Sequence, residues 1–389
     1  MITACETLLT SQMRAAKPVL DFAQARMLAA EYGSPLLVVS RSKLAENFHT
    51  MQSCLPGVEF FYAAKSNPQY EILRTLHDLG CSVDVCSAGE MNAAINAGFN
   101  PADMLHTHPC KTVQNLRDCY EAGVRLFVYD NQNELGKFAR YAPQAQLLLR
   151  LAMSSQTSLI NLSAKFGAAP SDAVELLLAA RETGMSVRGI SFHVGSQCLS
   201  PEDFLVALRQ ARQVWDDAAA AGIELEILDF GGGFPAPYRT EVLMLEEYCM
   251  ALGRALEMSF GDVNPRIIAE PGRGMCADTV TLVTSVLGKN VRNGLPWYII
   301  DDGLYGAFSG IVYDHGDFPL LAENQEHRMT GPCVVAGPTC DSSDVVARDQ
   351  YLPDLEIGEL LLVPTMGAYS SASASGFNGL DLARYVEID

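Results

Sequence analysis

The sequence is short of basic residues: 27 Lys and Arg stand against 46 Asp and Glu in 389 residues, a formal net charge of −19. A polyanion is bound by releasing its counterions onto a basic face, so neither nucleic acid nor an anionic membrane is an expected partner. Long apolar runs are missing too, and none approaches the roughly 20 residues that span a bilayer. The first twenty residues carry Glu6, Arg14 and Lys17 without an apolar core, so no secretory signal is expected. The eleven cysteines are odd in number and scattered, with no C-x-x-C pair to hold zinc or an iron–sulfur cluster. No metal is expected, and the thiols read as reduced core residues of a cytoplasmic protein. Neither G-x-G-x-x-G nor G-x-x-x-x-G-K-[ST] occurs at the glycine-rich segments, so dinucleotide and P-loop readings lack their motif. What is abundant is apolar side chain: 49% of residues are hydrophobic and 19% charged, which argues for a large core and against disorder. The length suits one large domain plus a smaller one.

Between residues 56 and 270, short β-rich runs alternate with longer helical patterns, as in a parallel sheet covered by helices. Strands are expected at 58–64, 82–86, 103–107, 124–129, 146–151, 187–194, 225–230 and 265–270. A helix such as 171–184 opens on a Ser cap and closes on Gly. This αβ alternation predicts a (β/α)₈ barrel of the TIM type, with a doubly wound open sheet as the alternative. The run 36–40 (LLVVS) is one strand too many and reads as the link to a second domain. After about residue 280, strand-like segments (TLVTSVLG, WYIID, CVVAG, LLLVPT) are separated by Gly, Pro and Asp, which predicts a mostly β C-terminal domain. The expected boundaries are 36–278 for the barrel, with 1–35 and 279–389 forming the β-rich domain. SSASAS at 370–375 reads as a packed turn.

Polar residues interrupt the apolar strands at informative places. Lys65, Asp84, Arg150, His193, Asp229 and Glu270 all fall at or just beyond the C-terminal ends of expected barrel strands, the mouth where barrel active sites are built. Gly231, Gly232 and Gly233 follow the seventh strand, and Glu270-Pro271-Gly272-Arg273 follows the eighth. Glycine lets backbone N–H groups approach a phosphate and Arg adds a charge-assisted contact; the loops after strands 7 and 8 are the usual phosphate site of this fold. A lysine beside a phosphate cradle suggests a Schiff base between Lys65 and C4′ of pyridoxal 5′-phosphate. Glu270 is placed to face the pyridine nitrogen and keep it protonated, and His193 to lie flat on the ring.

The segments FYAAKSNP (61–68), SVDVCSAGE (82–90), HPCK (108–111), LSAKFG (162–167), SFHVGS (191–196), LDFGGGFP (228–235), AEPGR (269–273), DDGLYGAF (301–308), VYDH (312–315), GPTCDSSD (337–344) and MGAYSSASASGFNG (366–379) resemble the fold-type III, alanine racemase-like pyridoxal phosphate decarboxylases. They are most similar to the ornithine and ornithine/lysine decarboxylases, over about residues 20–385 and in the same order. The resemblance implies that Lys65 carries the cofactor, Glu270 pairs with its pyridine nitrogen and His193 stacks on its ring. It implies that Ser196, Gly231, Gly232, Gly233, Arg273 and Tyr369 surround the phosphate, while Asp84, Glu90 and Arg150 support Lys65 and the ring. Cys340 matches the group that protonates Cα after CO₂ leaves. Asp314 and Asp341 match an acidic pair for the distal ammonium, with Tyr305 and Phe377 also on the substrate side. Cys340, Asp341 and Tyr305 are implied to cross the interface of a homodimer with shared active sites. The implied reaction is the decarboxylation of L-ornithine to putrescine, L-lysine to cadaverine, or both, in polyamine biosynthesis.

The residues agree with these roles, since a substrate ending in –NH₃⁺ needs carboxylates at the far end of its pocket. A decarboxylase of meso-diaminopimelate or carboxynorspermidine needs groups for a second carboxylate, which Asp314 and Asp341 would repel. A conjugated diamino acid from siderophore or antibiotic synthesis and a non-catalytic, cofactor-binding homologue are further alternatives. A racemase would use a tyrosine base where this chain has Cys340. The run Gly274-Met275-Cys276 is smaller than its counterparts, which predicts a looser edge beside the phosphate, and the loop 153–161 lacks the acidic residues of eukaryotic relatives.

Overall fold

A computed structural model describes residues 12–153 and 155–389; Cys5, Glu6 and Ser154 lie outside them. Eight parallel strands close into a barrel: Val58–Ala63, Ser82–Val85, Met104–His106, Leu126–Tyr129, Gln146–Leu151, Ser186–Phe192, Ile227–Asp229 and Arg266–Ala269. Closure comes from the eighth strand, which pairs with the first (Ile267 opposite Val58) and with the seventh (Arg266 opposite Ile227). Every strand falls within or one residue from its expected run. They read as continuous apolar stretches because each is covered on the outside by helices and faces other side chains inside. Phe61, Leu105, Leu126, Val128, Leu148, Ile227 and Ile268 fill the interior as a separate buried cluster, so the barrel is packed and not a pore.

Caps set where several helices begin. Ser40, Ser87, Thr112 and Ser200 each accept a backbone N–H of the first turn, and Asp21 with Gln24 forms a capping box before Phe22–Tyr32. The helix expected at 171–184 starts later, at Ala173, and runs to Glu182. Pro170 opens a 3₁₀ turn that absorbs Ser171, whose hydroxyl donates to Asp172 instead of capping the helix.

The second domain is a mixed, mostly antiparallel sheet with strand order Leu321–Ala322, Leu360–Val363, Val280–Arg292, Leu295–Ile300, Thr330–Ala336, Val345–Pro353, in which Leu295–Ile300 and Thr330–Ala336 pair in parallel. Its axis is the thirteen-residue strand Val280–Arg292. The first half of that strand pairs with Leu360–Val363 and Leu36–Ser40, the second half with Leu295–Ile300, and the register shifts between Val286 and Gly288. A bulge there redirects the ladder from one set of neighbours to the other. Two boundary details depart from the expected division. Leu36–Ser40, assigned by the boundary at 36 to the barrel, pairs among the described residues with Val280–Val283 and Arg384–Ile388 and with no barrel strand. Met13–Arg14, assigned to the β domain, pairs with Val242–Leu243 on the barrel side. SSASAS is a turn, with Ser371–Ser373 in a 3₁₀ turn and Ser309 bonded to Ser373, but it is not the packed one expected: only Ser370 is buried, and Ala372, Ser373 and Ser375 are exposed. No helix among the described residues is long and apolar enough to cross a membrane.

Buried polar ties hold the segment that leads from the barrel into the sheet. Asn47, 2% exposed on helix Arg41–Cys54, donates to Met275 O at 3.0 Å and to Asp278 Oδ1 at 2.7 Å; Arg14 holds the other oxygen of Asp278 at 3.0 Å. Removing the amide strands a buried carbonyl and half of a buried carboxylate, which costs about 1–3 kcal/mol. Asn47→Ala is therefore expected to lower the midpoint of urea unfolding without changing the slope, and an unmoved midpoint would show that the tie contributes nothing.

Candidate active site

Lys65 sits in the one-turn 3₁₀ helix Ala64–Ser66 that directly follows the first barrel strand. The turn stops because Asn67 precedes Pro68 and is forced into extended backbone. From there Lys65 Nζ lies 3.1 Å from Asp84 Oδ2 and 4.0 Å from Glu270 Oε2. Asp84, fully buried on the second strand, has its other oxygen held by the Thr107 hydroxyl at 2.6 Å. Burial pulls the Lys65 pKa down, but Asp84 first, then other groups including Glu270, more than offset this and hold the lysine well above its usual value, as an ammonium. Glu90, in the first turn of helix Ala88–Asn96, accepts the Cys86 N–H at 2.7 Å and so fixes the loop after Asp84. Arg150, on the fifth strand, lies with its guanidinium 5.7 Å from the Phe166 ring.

His193 follows the sixth strand and is buried. Its Nδ1 accepts the Gly195 N–H at 3.0 Å, which leaves the ring proton on Nε2. Burial, with Lys65 and Arg150 nearby, holds its pKa well below the usual histidine range, so the ring is neutral. Gly232 faces the Nε2 edge: a Cβ there would stand 3.2 Å from that atom and 2.4 Å from Glu270 O. Gly231, at φ +71°, is equally constrained, since its Cβ would meet Phe192 O at 2.2 Å. Gly233, the last of the three, is also hemmed in by backbone.

Arg273, 3% exposed, begins the short helix Arg273–Cys276. It donates to Ser196 Oγ at 2.8 Å and to Tyr238 Oη at 2.7 Å, and pairs with Asp314 at 2.6 Å. Its guanidinium lies 4.8 Å from the Tyr369 ring, and its Nε is buried without a hydrogen-bond partner. A buried guanidinium with an unused donor, a serine hydroxyl and a side-chain-free backbone run form a cradle that fits a phosphate group. The expected looseness at Gly274-Met275-Cys276 is not found. Met275 and Cys276 are fully buried, and a Cβ on Gly274 would meet Phe234 at 2.5 Å, so small residues here permit a tight fit.

A second cluster lies on the β domain. Tyr305 donates to Asp341 Oδ2 at 2.5 Å and stacks on Phe377 at 4.3 Å between ring centroids. Cys340 is exposed, its N–H held by Asn378 Oδ1 at 2.9 Å. One chain thus separates the expected acidic pair: Asp314 lies at the mouth on Arg273, and Asp341 lies on Tyr305 and Ser343. Sequence reading missed Thr107 and Tyr238, the hydroxyls that hold Asp84 and Arg273. Thr107 could have been found as another polar residue ending a barrel strand; Tyr238, beyond the glycine run, left no such signal.

The family model "Pyridoxal-dependent decarboxylase, pyridoxal binding domain" matches residues 41–277. The chain belongs to this family. Its cofactor is pyridoxal 5′-phosphate, consistent with the lysine and the cradle just described. Among curated relatives, the lysine/ornithine decarboxylase of Selenomonas ruminantium is 41% identical over 361 residues, 92% of this chain and 91% of that one. The ornithine decarboxylase of Caenorhabditis elegans is 34% identical over 90% of this chain and 86% of its own. Among solved structures, the lysine/ornithine decarboxylase of Vibrio vulnificus complexed with putrescine superposes with a TM-score of 0.88 at 35% identity, covering 95% of this chain and 99% of that one.

The neutral state of His193 has a consequence for stability. Its folded pKa lies below the unfolded value of about 6.5, so the unfolded chain binds more protons below that pH. The contribution is complete above about pH 6.5 and is lost as pH falls. His106, buried and shifted in the same direction, adds to the loss. His193→Gln is expected to flatten the fall of the thermal midpoint between pH 7 and 5 without abolishing it; an identical fall in both proteins would assign the effect to groups other than His193, His106 and His108 among them.

Proposed function

We propose that this decarboxylase acts on a basic diamino acid, converting L-ornithine to putrescine, L-lysine to cadaverine, or both, with release of CO₂. The observation that carries the reading is the Lys65 ammonium between Asp84 and Glu270, beside the Arg273 cradle, in a chain whose relatives are named for these two substrates. When bound to Lys65, the cofactor supplies an electron sink for the bond to the departing carboxylate. Asp84, backed by Thr107, steadies the lysine and takes up its charge, with Glu90 and Arg150 in support. Glu270, as an anion, keeps the cofactor's ring nitrogen protonated. His193, neutral, covers the ring face and adds no charge to it. Ser196, Arg273, Tyr369 and the amides of Gly231, Gly232 and Gly233 bind the phosphate.

Asp314, beside Arg273 at the mouth, and Asp341, from the second cluster, hold the substrate's distal ammonium, between walls that include Tyr305 and Phe377. Cys340 gives its thiol proton to Cα. Because Tyr305, Cys340, Asp341 and Phe377 lie together, with Cys340 and Phe377 exposed and no hydrogen bond or ion pair from the cluster to Lys65 among the described residues, they serve the mouth of a second copy, and the working unit is a homodimer with shared sites. Free thiols throughout the described residues suit a cytoplasmic enzyme.

The first test is amine and CO₂ formation by the purified protein with pyridoxal phosphate, over L-ornithine, L-lysine, L-arginine, meso-diaminopimelate and carboxynorspermidine. Turnover of ornithine or lysine is expected. A hydrophobic wall separates these two, one methylene apart, by only about 1–3 kcal/mol, so their kcat/KM ratio reports the pocket length. Turnover of diaminopimelate alone would overturn the acidic-pair reading. The shared site is tested by mixing two inactive variants, Lys65→Ala and Cys340→Ala. Random pairing makes half of the dimers mixed, each with one intact site, so about a quarter of the wild-type activity returns. Sizing near twice 42.1 kDa accompanies it; no recovery in a mixed dimer would place Cys340 in its own subunit's site.

A further inference from the structure

Asp229 ends the seventh barrel strand and is wholly buried. Of the polar residues that close the barrel strands, it is the one to which neither the resemblance nor the reaction gives a role. Its Oδ1 accepts the Gly231 N–H at 2.9 Å. Its Oδ2 is buried and has no donor among the described residues. Parallel pairing of the seventh and eighth strands, Asp229 opposite Ile268, followed by the bond from Glu270 N to Gly231 O at 2.8 Å, brings the carboxyl of Asp229 against that of Glu270. Two acceptor-only groups in contact cannot satisfy each other. One proton between them resolves both the orphaned oxygen and the repulsion.

Which carboxyl keeps the proton follows from the surroundings. Glu270 has Lys65 Nζ at 4.0 Å and Arg150 as a second nearby cation. Asp84 has Lys65 at 3.1 Å and the Thr107 hydroxyl. Asp229 has one backbone N–H and no cation, and it faces Glu270 and Asp84. Burial and then Glu270 push its pKa well above the ordinary carboxyl range; burial and then Asp84 raise Glu270 as well, but there the bond from Asp229 and the cations Lys65 and Arg150 act downward, so of the two Asp229 is the one that holds the proton. We propose that Asp229 is a positioning residue that stays protonated in the working enzyme and donates its proton as a hydrogen bond to Glu270, holding that carboxylate oriented and ionised. The inference rests on Glu270 facing the cofactor's ring nitrogen: an anion whose basicity is lowered from behind leaves the shared proton on the ring, where it draws electrons from the breaking bond.

The competing role for Asp229 is purely structural, a side-chain turn that shapes Gly231. Asn and Ser separate the two. Asn can accept the Gly231 N–H through Oδ1 and donate to Glu270 through Nδ2, as a protonated Asp does, whereas Ser can keep the turn but is too short to reach Glu270. In the holoenzyme, Asp229→Asn is expected to leave the pH midpoint of the bound cofactor's absorbance and kcat unchanged. Asp229→Ser is expected to raise that midpoint by about one unit and to lower kcat about tenfold, with little change in KM. An unmoved midpoint in the Ser variant, or Asn behaving like Ser, would overturn the proposal. Infrared spectroscopy of the unmutated protein tests it without relying on any variant's fold. A protonated-carboxyl C=O band at neutral pH, shifted by ¹³C-aspartate and missing in Asp229→Asn, is expected, and its absence from the wild type would overturn the proposal. Failure of the wild type to turn over any diamino acid would instead count against the proposed function, and the infrared result would still decide whether Asp229 holds a proton.

Discussion

One ammonium group among three buried carboxyls organises the mouth of this barrel. Lys65 reaches Asp84 and Glu270 directly, and Asp229 stands behind Glu270. An isolated buried charge costs several kcal/mol, so each carboxyl has to be paired with a cation, bound by a donor or protonated. Thr107 serves Asp84, Lys65 bridges two of the three, and a proton serves the last. The same grouping fixes the state of His193. With Lys65 and Arg150 already positive and water largely excluded, an imidazolium would add charge that nothing nearby neutralises.

The surface that joins the two domains is also the wall of the site. Asn67, which ends the turn bearing Lys65, donates to Gly367 O and to Tyr385 Oη, each at 3.0 Å, and the Tyr369 N–H reaches back to Ser66 O at 2.9 Å. Those bonds set the Tyr369 ring beside Arg273, whose guanidinium also takes Asp314 from the β domain. Geometry at Lys65 and docking of the sheet on the barrel are therefore one property. A change that loosens the domain contact moves the groups around the phosphate cradle before it unfolds either domain.

Much of this was legible in the chain. The eight barrel strands stood out because both faces are covered, which makes each a short unbroken apolar run, and the mouth residues stood out as the polar groups that end those runs. The strand Val345–Pro353 did not, because it is partly exposed and carries Arg348 and Asp349 in its middle. Leu36–Ser40 read as a strand, yet its partners, more than two hundred residues away, could not be inferred from its composition. The parting of Asp314 from Asp341 was hidden for a related reason. Local pattern reports which side chains are polar, whereas which of them meet depends on how two domains dock.

The placement of Leu36–Ser40 also imposes an order on events during synthesis. This strand leaves the ribosome before any strand of the barrel, but its antiparallel neighbour begins at Val280 and its parallel neighbour at Arg384. The barrel has all eight strands once Ala269 is made and can close while the rest is still being translated. Through that interval an apolar five-residue strand, with all its main-chain groups unpaired, must wait beside a finished domain. It is then the segment of the nascent chain most open to mispairing or chaperone capture.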